Sequence, residues 1–189
     1  MRPDLVYIAL LHYPVYNKHG EVVATTITNF DLHDISRLAR TYGLGGFYVV
    51  NPLRSQHLLA RRIIDYWQEG YGASFNPSRI EAFRHTAVVF DLTEVMDQLR
   101  DRHERDPIVV MTGAKKHPGS IGYRELKGIM AAGGGPYLIL FGTGWGIHAS
   151  VAEEVDYILE PLMPHSDYNH LSVRSAASII IDRLLGDGD

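Results

Sequence analysis

The sequence predicts an α/β protein with a mostly parallel sheet and helices on both faces. Short runs rich in Val, Ile, Tyr and Phe recur along the chain and read as buried strands. Segments with an apolar spacing of about 3.6 residues, the repeat of an amphipathic helix, separate them. Strands joined by single helices imply right-handed crossovers, which lay successive strands parallel and cover the sheet with helices.

The elements follow in order. Leu5 to Leu11 is the first strand and Val22 to Ile27 the second. A helix follows over Leu32 to Tyr42: Asp31 stands before it with Asp34 three residues on, a weak capping box, and Gly43 suits the left-handed residue that ends it. Gly46 to Val50 is a strand, and Ser55 to Gly70 a helix. Gly70 to Ser78, with two glycines and Pro77, is expected to be a flexible loop. Ala87 to Phe90 is a strand, and the helix over Thr93 to Glu104 carries Glu94 and Asp97 near the positive end of its dipole. Ile108 to Met111, Tyr137 to Phe141 and Tyr157 to Leu159 complete the strands, with helices over Ile121 to Ala132 and Leu171 to Leu185.

The 189 residues suit one domain over 1–189, with no repeat and no linker. Hydrophobic residues at 46% and charged residues at 21% are the proportions of a globular protein. The absence of cysteine excludes disulfides and thiolate metal sites. The N-terminus MRPDLVYIALLHYPVY suits neither a signal peptide nor a membrane span, so the expectation is a cytoplasmic protein with no membrane partner. A net charge of −4 argues against global electrostatic binding of nucleic acid and leaves room for a local basic face.

The stretch Leu138 to His148, LILFGTGWGIH, runs from a strand into three alternating glycines, with a helical pattern behind Ile147. Such a turn exposes backbone N–H groups to a ligand. A dinucleotide fingerprint places its glycines at the first, third and sixth positions, whereas Gly142, Gly144 and Gly146 stand at the first, third and fifth. No Gly-Lys-Ser or Gly-Lys-Thr follows, so it is not a P-loop either. Two other strand ends belong with it: Thr112-Gly113-Ala114-Lys115-Lys116-His117-Pro118-Gly119 after Met111, and Glu160-Pro161-Leu162 through Asn169-His170 after Leu159. In an open parallel sheet ligands lie beyond the carboxyl ends of the strands.

With these loops, roughly Ile108 to Leu185 resembles the S-adenosylmethionine domain of the SPOUT RNA methyltransferases, whose C-terminal strands and helix form a deep trefoil knot. The order of a polar-glycine loop, a helix, an apolar strand with a glycine loop, a Val-Asp-Tyr-Ile-Leu strand and a last helix resembles the catalytic domain of the tRNA guanine-N1 methyltransferases. The whole chain is most similar to small stand-alone bacterial members of that group. In the 2′-O-methylating branch an early helix carries an Asn and, six residues later, an Arg; here Arg37 falls on the arginine and Asp31 replaces the asparagine. Where that branch has Ser-Leu-Asn-Val-Ser, this chain has Asn169-His170-Leu171-Ser172-Val173, so Asn169 or His170 takes the place of the asparagine.

The resemblance implies an S-adenosylmethionine-dependent RNA methyltransferase acting on tRNA or rRNA as a homodimer. Arg37, Asn169 and His170 are the implied catalytic residues. The implied cofactor residues are Thr112, Gly113, Ala114, Gly142, Thr143, Gly144, Trp145, Gly146, Ile158, Leu159, Glu160, Pro161, Leu162, Leu171 and Ser172. Trp145 either lines the pocket or anchors the turn. Ten histidines contain no HExxH and no helix with two at four-residue spacing, so a metal site is not the leading reading; His165, Asp167 and His170 cluster in the third loop and suit a proton shuttle. Arg54, Arg61 and Arg62 read as a solvated helix face, whereas Lys115, Lys116, Arg124 and Lys127 flank the first loop and suit RNA phosphates. Arg40 is a weaker candidate for the role of Arg37. The alternatives are a knotted nucleotide- or RNA-binding protein without catalysis, and a dinucleotide oxidoreductase.

Overall fold

The computed structural model describes residues 2–163 and 168–186. The main sheet has six strands: β1 (Val6–Leu11), β4 (Gly46–Val50), β5 (Thr86–Val89), β6 (Ile108–Met111), β7 (Tyr137–Gly142) and β8 (Tyr157–Ile158). They lie in the order β5-β4-β1-β7-β6-β8, and every pairing is parallel. All the residues of β1 and β4 are buried, as central parallel strands covered on both faces require.

The two-residue alternation of a strand divides the core. Val6, Ile8 and Leu10 point into one cluster, and Tyr7, Ala9 and Leu11 into the other. The first cluster is covered by α1 (Asn29–Thr41), α2 (Arg54–Gln68), α4 (Pro77–Phe83), α6 (Tyr123–Ala132) and α8 (Val173–Leu185). The second is covered by α5 (Leu92–His103) and α7 (Ala149–Ala152). Right-handed crossovers dictate this division: connections stepping one way along the sheet put their helices on one face, and α5 and α7, stepping the other way, lie on the opposite face.

The C-terminal path has an additional feature. Leu159 donates its N–H to Met111 at 2.9 Å, Ile121 donates to the Ile158 carbonyl at 2.9 Å, and Glu160 donates to the Ile121 carbonyl at 2.9 Å. Residues 158–160 thus lie between the end of β6 and Ile121. Residues 112–120 join those two flanks and span the carboxyl end of β8, from which the chain proceeds to α8.

Three expectations change. The strand expected over Val22–Ile27 shortens to β3 (Val22–Val23), which pairs antiparallel with β2 (Val15–Tyr16) outside the main sheet. Beyond it the backbone is satisfied elsewhere: Thr25 donates to the His12 carbonyl and Ile27 to the Gln56 side chain. Helix α1 begins at Asn29, because the cap is Thr28, whose hydroxyl accepts from the Asp31 N–H at 3.1 Å. The segment expected to be a flexible loop forms α3 (Tyr71–Phe75) and then α4, with Pro77 in the first turn of α4. Gly72 allows α3 to pack here, since a Cβ would stand 2.8 Å from the rings of Tyr66 and Trp67.

At the opposite end of the sheet, Gly45 lies under the ring of Tyr7, where an added Cβ would come 2.4 Å from the ring and 2.5 Å from the Asp4 carbonyl. The Gly45→Ala variant is expected to lose about 1–3 kcal/mol of stability by overpacking, read as a lowered urea midpoint; an unchanged midpoint would contradict this packing.

Candidate functional site

Because β6 pairs in parallel with both β7 and β8, the three predicted loops leave adjacent strands at the same sheet edge. Thr112 is buried and turned back onto the sheet, its hydroxyl donating to the Leu140 carbonyl at 2.8 Å. Gly113 and Ala114 are exposed, and neither N–H has a hydrogen-bond partner among the described residues. Asn169 joins the third loop to the first: its side-chain amide donates to the Ala114 carbonyl and to the Leu162 carbonyl, both at 3.2 Å.

The glycine loop is fixed from the side of the small hairpin. Thr143 donates its N–H to the Leu11 carbonyl at 3.2 Å and its hydroxyl to the same oxygen at 3.1 Å. Trp145 donates to the Tyr16 carbonyl at 2.8 Å, and Tyr16 donates back to Gly146 at 2.9 Å. Gly144 has φ +59°, and a Cβ would stand 2.7 Å from the Tyr16 carbonyl, so only glycine fits this contact. One side of the loop is therefore packing. Its other side presents Gly146, where a Cβ would meet nothing within 4 Å, and the exposed ring of Trp145. The helical pattern behind Ile147 proves to be the short α7, and Ile147 itself bridges to Val15.

In the third loop Leu159, Pro161 and Leu162 are buried, Leu159 within the core; Ile158 and Glu160 are half-buried. Leu171 is exposed, and Ser172 caps α8, its hydroxyl accepting from the Ser175 N–H at 3.2 Å. Met163, Tyr168, Asn169 and His170 border an open hollow of about 190 Å³ against Ile179 and Arg183 of α8. That hollow is not lined by residues 112–114 or 142–146. His170 is exposed, its ring edge-on to Tyr168. His165 and Asp167 lie outside the described residues.

Arg37 makes no hydrogen bond or ion pair with the three loops among the described residues. It is exposed on α1, with Asp34 at 3.9 Å. The carboxylate of Asp31 accepts from the Thr28 hydroxyl at 2.6 Å and faces the Arg174 guanidinium at 3.5 Å. Arg174 also reaches Asp34 at 3.2 Å and lies over the ring of Phe30, so the start of α8 is tied to the start of α1. Arg40 pairs with Glu81 at 2.9 Å. Lys115, Lys116 and Arg124 are exposed and have no ion pair among the described residues. Lys127 instead donates to the Gly186 carbonyl at 3.3 Å.

A buried polar network beside the glycine loop escaped the sequence reading. His12, fully buried just past β1, shares a hydrogen bond with the Thr25 hydroxyl at 2.9 Å, and Thr25 contacts the Thr143 hydroxyl at 2.5 Å. Asn51, at the end of β4, donates to the Thr25 carbonyl at 2.9 Å, and the ring of His57 meets the Asn51 carbonyl at 2.7 Å. The available signal was positional: His12 directly follows the first apolar run, at the carboxyl end of a central strand. Burial pushes the His12 imidazole down to about 4, and its Nε2 has no partner among the described residues.

Among the described residues no group of three or more His, Asp or Glu is placed to hold a metal ion, and no helix is long and apolar enough to cross a membrane. A family model described as "SAM-dependent RNA methyltransferase" matches residues 5–186. An uncharacterized protein of Aquifex aeolicus is 40% identical over 179 residues, covering 95% of this chain and 87% of that one. A tRNA (guanine-N(1)-)-methyltransferase of Oleidesulfovibrio alaskensis is 41% identical over 182 residues, and the chain spans only 42% of its length. Among solved structures, the SpoU methyltransferase AviRb of Streptomyces viridochromogenes, in complex with AdoMet, superposes with TM-score 0.61 at 18% identity, over 98% of this chain and 58% of that one. At that identity the likeness speaks for the fold.

A histidine that the fold holds neutral stabilises fully above its unfolded value of about 6.5 and loses that contribution as pH falls toward its folded value of about 4. Relative to His12→Gln, the wild-type chain is expected to lose about 2 kcal/mol of stability between pH 7 and pH 5. Urea melts of both proteins at the two pH values check this; parallel pH dependence would contradict it.

Proposed function

This chain belongs to the family of SAM-dependent RNA methyltransferases, and on that premise we propose that its three C-terminal strand-end loops hold S-adenosylmethionine for methyl transfer to tRNA or rRNA. The observation that carries the reading is the placement of these loops on adjacent parallel strands, with Asn169 bonded across two of them. The residues fit an adenosyl group, which asks for an apolar slot and a few main-chain donors. The N–H groups of Gly113 and Ala114, without a partner among the described residues, supply donors, and the open sides of Gly113 and Gly146 leave a ligand room to approach them. We assign the cofactor to Thr112–Ala114, Gly142–Gly146, Ile158–Leu162, Leu171 and Ser172.

When bound, the cofactor supplies an electrophilic methyl group on a sulfonium. The chain's part is alignment and the removal of a proton. Asn169 sets the spacing between the first and third loops, and its side-chain oxygen remains available to the acceptor. His170, exposed beside it, takes the proton. Lys115, Lys116 and Arg124 receive RNA phosphates. Arg37 is exposed on α1 and bonds to none of these loops among the described residues, which fits an arginine that serves the site of a second copy. Exposed Phe30, Met163, Leu171 and Ile179, on α1, the third loop and α8, support a homodimer through this side. The bracketing of residues 158–160 by Met111 and Ile121 supports the trefoil knot, and the one six-stranded main sheet supports one domain over residues 1–189. The relative's name favours tRNA, and an RNA substrate fits a cytoplasmic protein.

Calorimetric titration with S-adenosylmethionine and transfer of labelled methyl to bulk tRNA and rRNA test the reading. Asn169→Ala is expected to weaken cofactor affinity about tenfold. Arg37→Ala should leave affinity unchanged and lower transfer about a hundredfold. Cofactor binding without any label in RNA would leave a binding protein, and absence of cofactor binding would remove the assignment altogether.

A further inference from the structure

We propose that the outer face of α2, continued by α3, is a contact surface for single-stranded RNA, separate from the three-loop site. It rests on the reading that this chain acts on RNA. Helix α2 begins four residues past the carboxyl end of β4, so its first turn stands at the sheet edge that carries the three loops. It has 15 residues and extends about 22 Å away from that edge. Its exposed face carries Arg54, Arg61 and Arg62, none of which has an ion pair or hydrogen bond among the described residues. Asp65 is the one acid on this helix, in a chain of net charge −4, so the local balance runs against the global one.

Aromatic rings continue the face. Tyr66 is exposed on the last turns of α2, and Gly72 seats α3 against it. On α3, Tyr71 and Phe75 are 73% and 74% exposed, with their rings stacked at 6.3 Å and 25°. Large aromatic rings held this far into water gain nothing from folding. Free guanidinium groups followed by presented ring faces match an unpaired polyribonucleotide, whose phosphates take the arginines and whose bases stack on the rings. A duplex would offer the phosphates and withhold the base faces. The three guanidinium groups, without an ion pair among the described residues and set beside exposed Leu58 and Leu59, favour a polyanion with flat apolar bases over a purely apolar protein surface. Sequence spacing showed the arginines as a solvated helix face, but it could not show the rings joining them, because residues 70–78 read as a loop.

The test is fluorescence anisotropy of the full chain with a labelled mixed-sequence single-stranded RNA of about 20 nucleotides, longer than a typical single-strand site, over a range of salt. The double variant Arg61→Glu/Arg62→Glu should weaken binding by at least about tenfold and lower the log–log salt slope by about 1.4, the value for two phosphate contacts on a single strand. Tyr71→Ala/Phe75→Ala should weaken binding about tenfold at an unchanged slope. Unaltered thermal melts and unaltered S-adenosylmethionine titrations confirm that fold and cofactor site are intact. Binding within twofold of the parent for either double variant, no RNA binding by the parent, or a change of oligomeric state in place of RNA affinity overturns the proposal. If S-adenosylmethionine fails to bind while RNA binding still depends on these residues, the methyl-transfer reading falls and this surface stands.

Discussion

The parallel pairing of β6 with β7 on one side and β8 on the other is the constraint on which the rest depends. Parallel strands cannot be joined by tight hairpins, so each must end at the same edge and send its chain back through a crossover. For β6, β7 and β8 this puts three loops side by side, regardless of the side chains they carry. The ladder is anchored in a buried apolar setting, Val109–Met111 and Tyr137–Phe141 all being inaccessible, where an unpaired peptide group would be costly. A slip of one residue would turn each buried side chain to the opposite face, so the register is strongly held.

On that frame, a few polar contacts set the loops themselves. The amide of Asn169 holds the third loop to the first, and the Thr143–Leu11 and Gly146–Tyr16 contacts hold the glycine loop to the end of β1 and the small hairpin. Arg174, reaching both Asp31 and Asp34, ties the exit of the third loop to the entry of α1. A carboxylate at Asp31 thus answers the charge of Arg174. Loops fixed in this way can present main-chain donors without the ordering cost of a mobile segment.

The sheet was legible because its signal is local. Gly46–Val50 and Ile108–Met111 have the bounds read from the sequence, since a continuous apolar run ended by glycine, proline or a polar residue suits little besides a strand buried on both faces. The three loops followed from the strands. What stayed hidden depends on partners distant in sequence. Val22–Ile27 has the composition of a strand, yet His12 and Gln56 take its backbone hydrogen bonds. The helix α3 exists through packing of Gly72 on Tyr66 and Trp67. Thr28 caps α1 four residues ahead of Leu32, where the apolar pattern becomes visible. His12, one histidine among ten, gains its place from Thr25 and Thr143, the latter 131 positions along the chain, and spacing does not show such a meeting.

The most direct measurement is a crystal structure of the chain with S-adenosylhomocysteine. The account predicts the adenosine between residues 113–114, 142–146 and 158–162, bonded chiefly to main-chain N–H and carbonyl groups, with the sulfur facing Asn169. Density for the ligand at another edge of the sheet, or held there by side chains of α2 or α5, would contradict it.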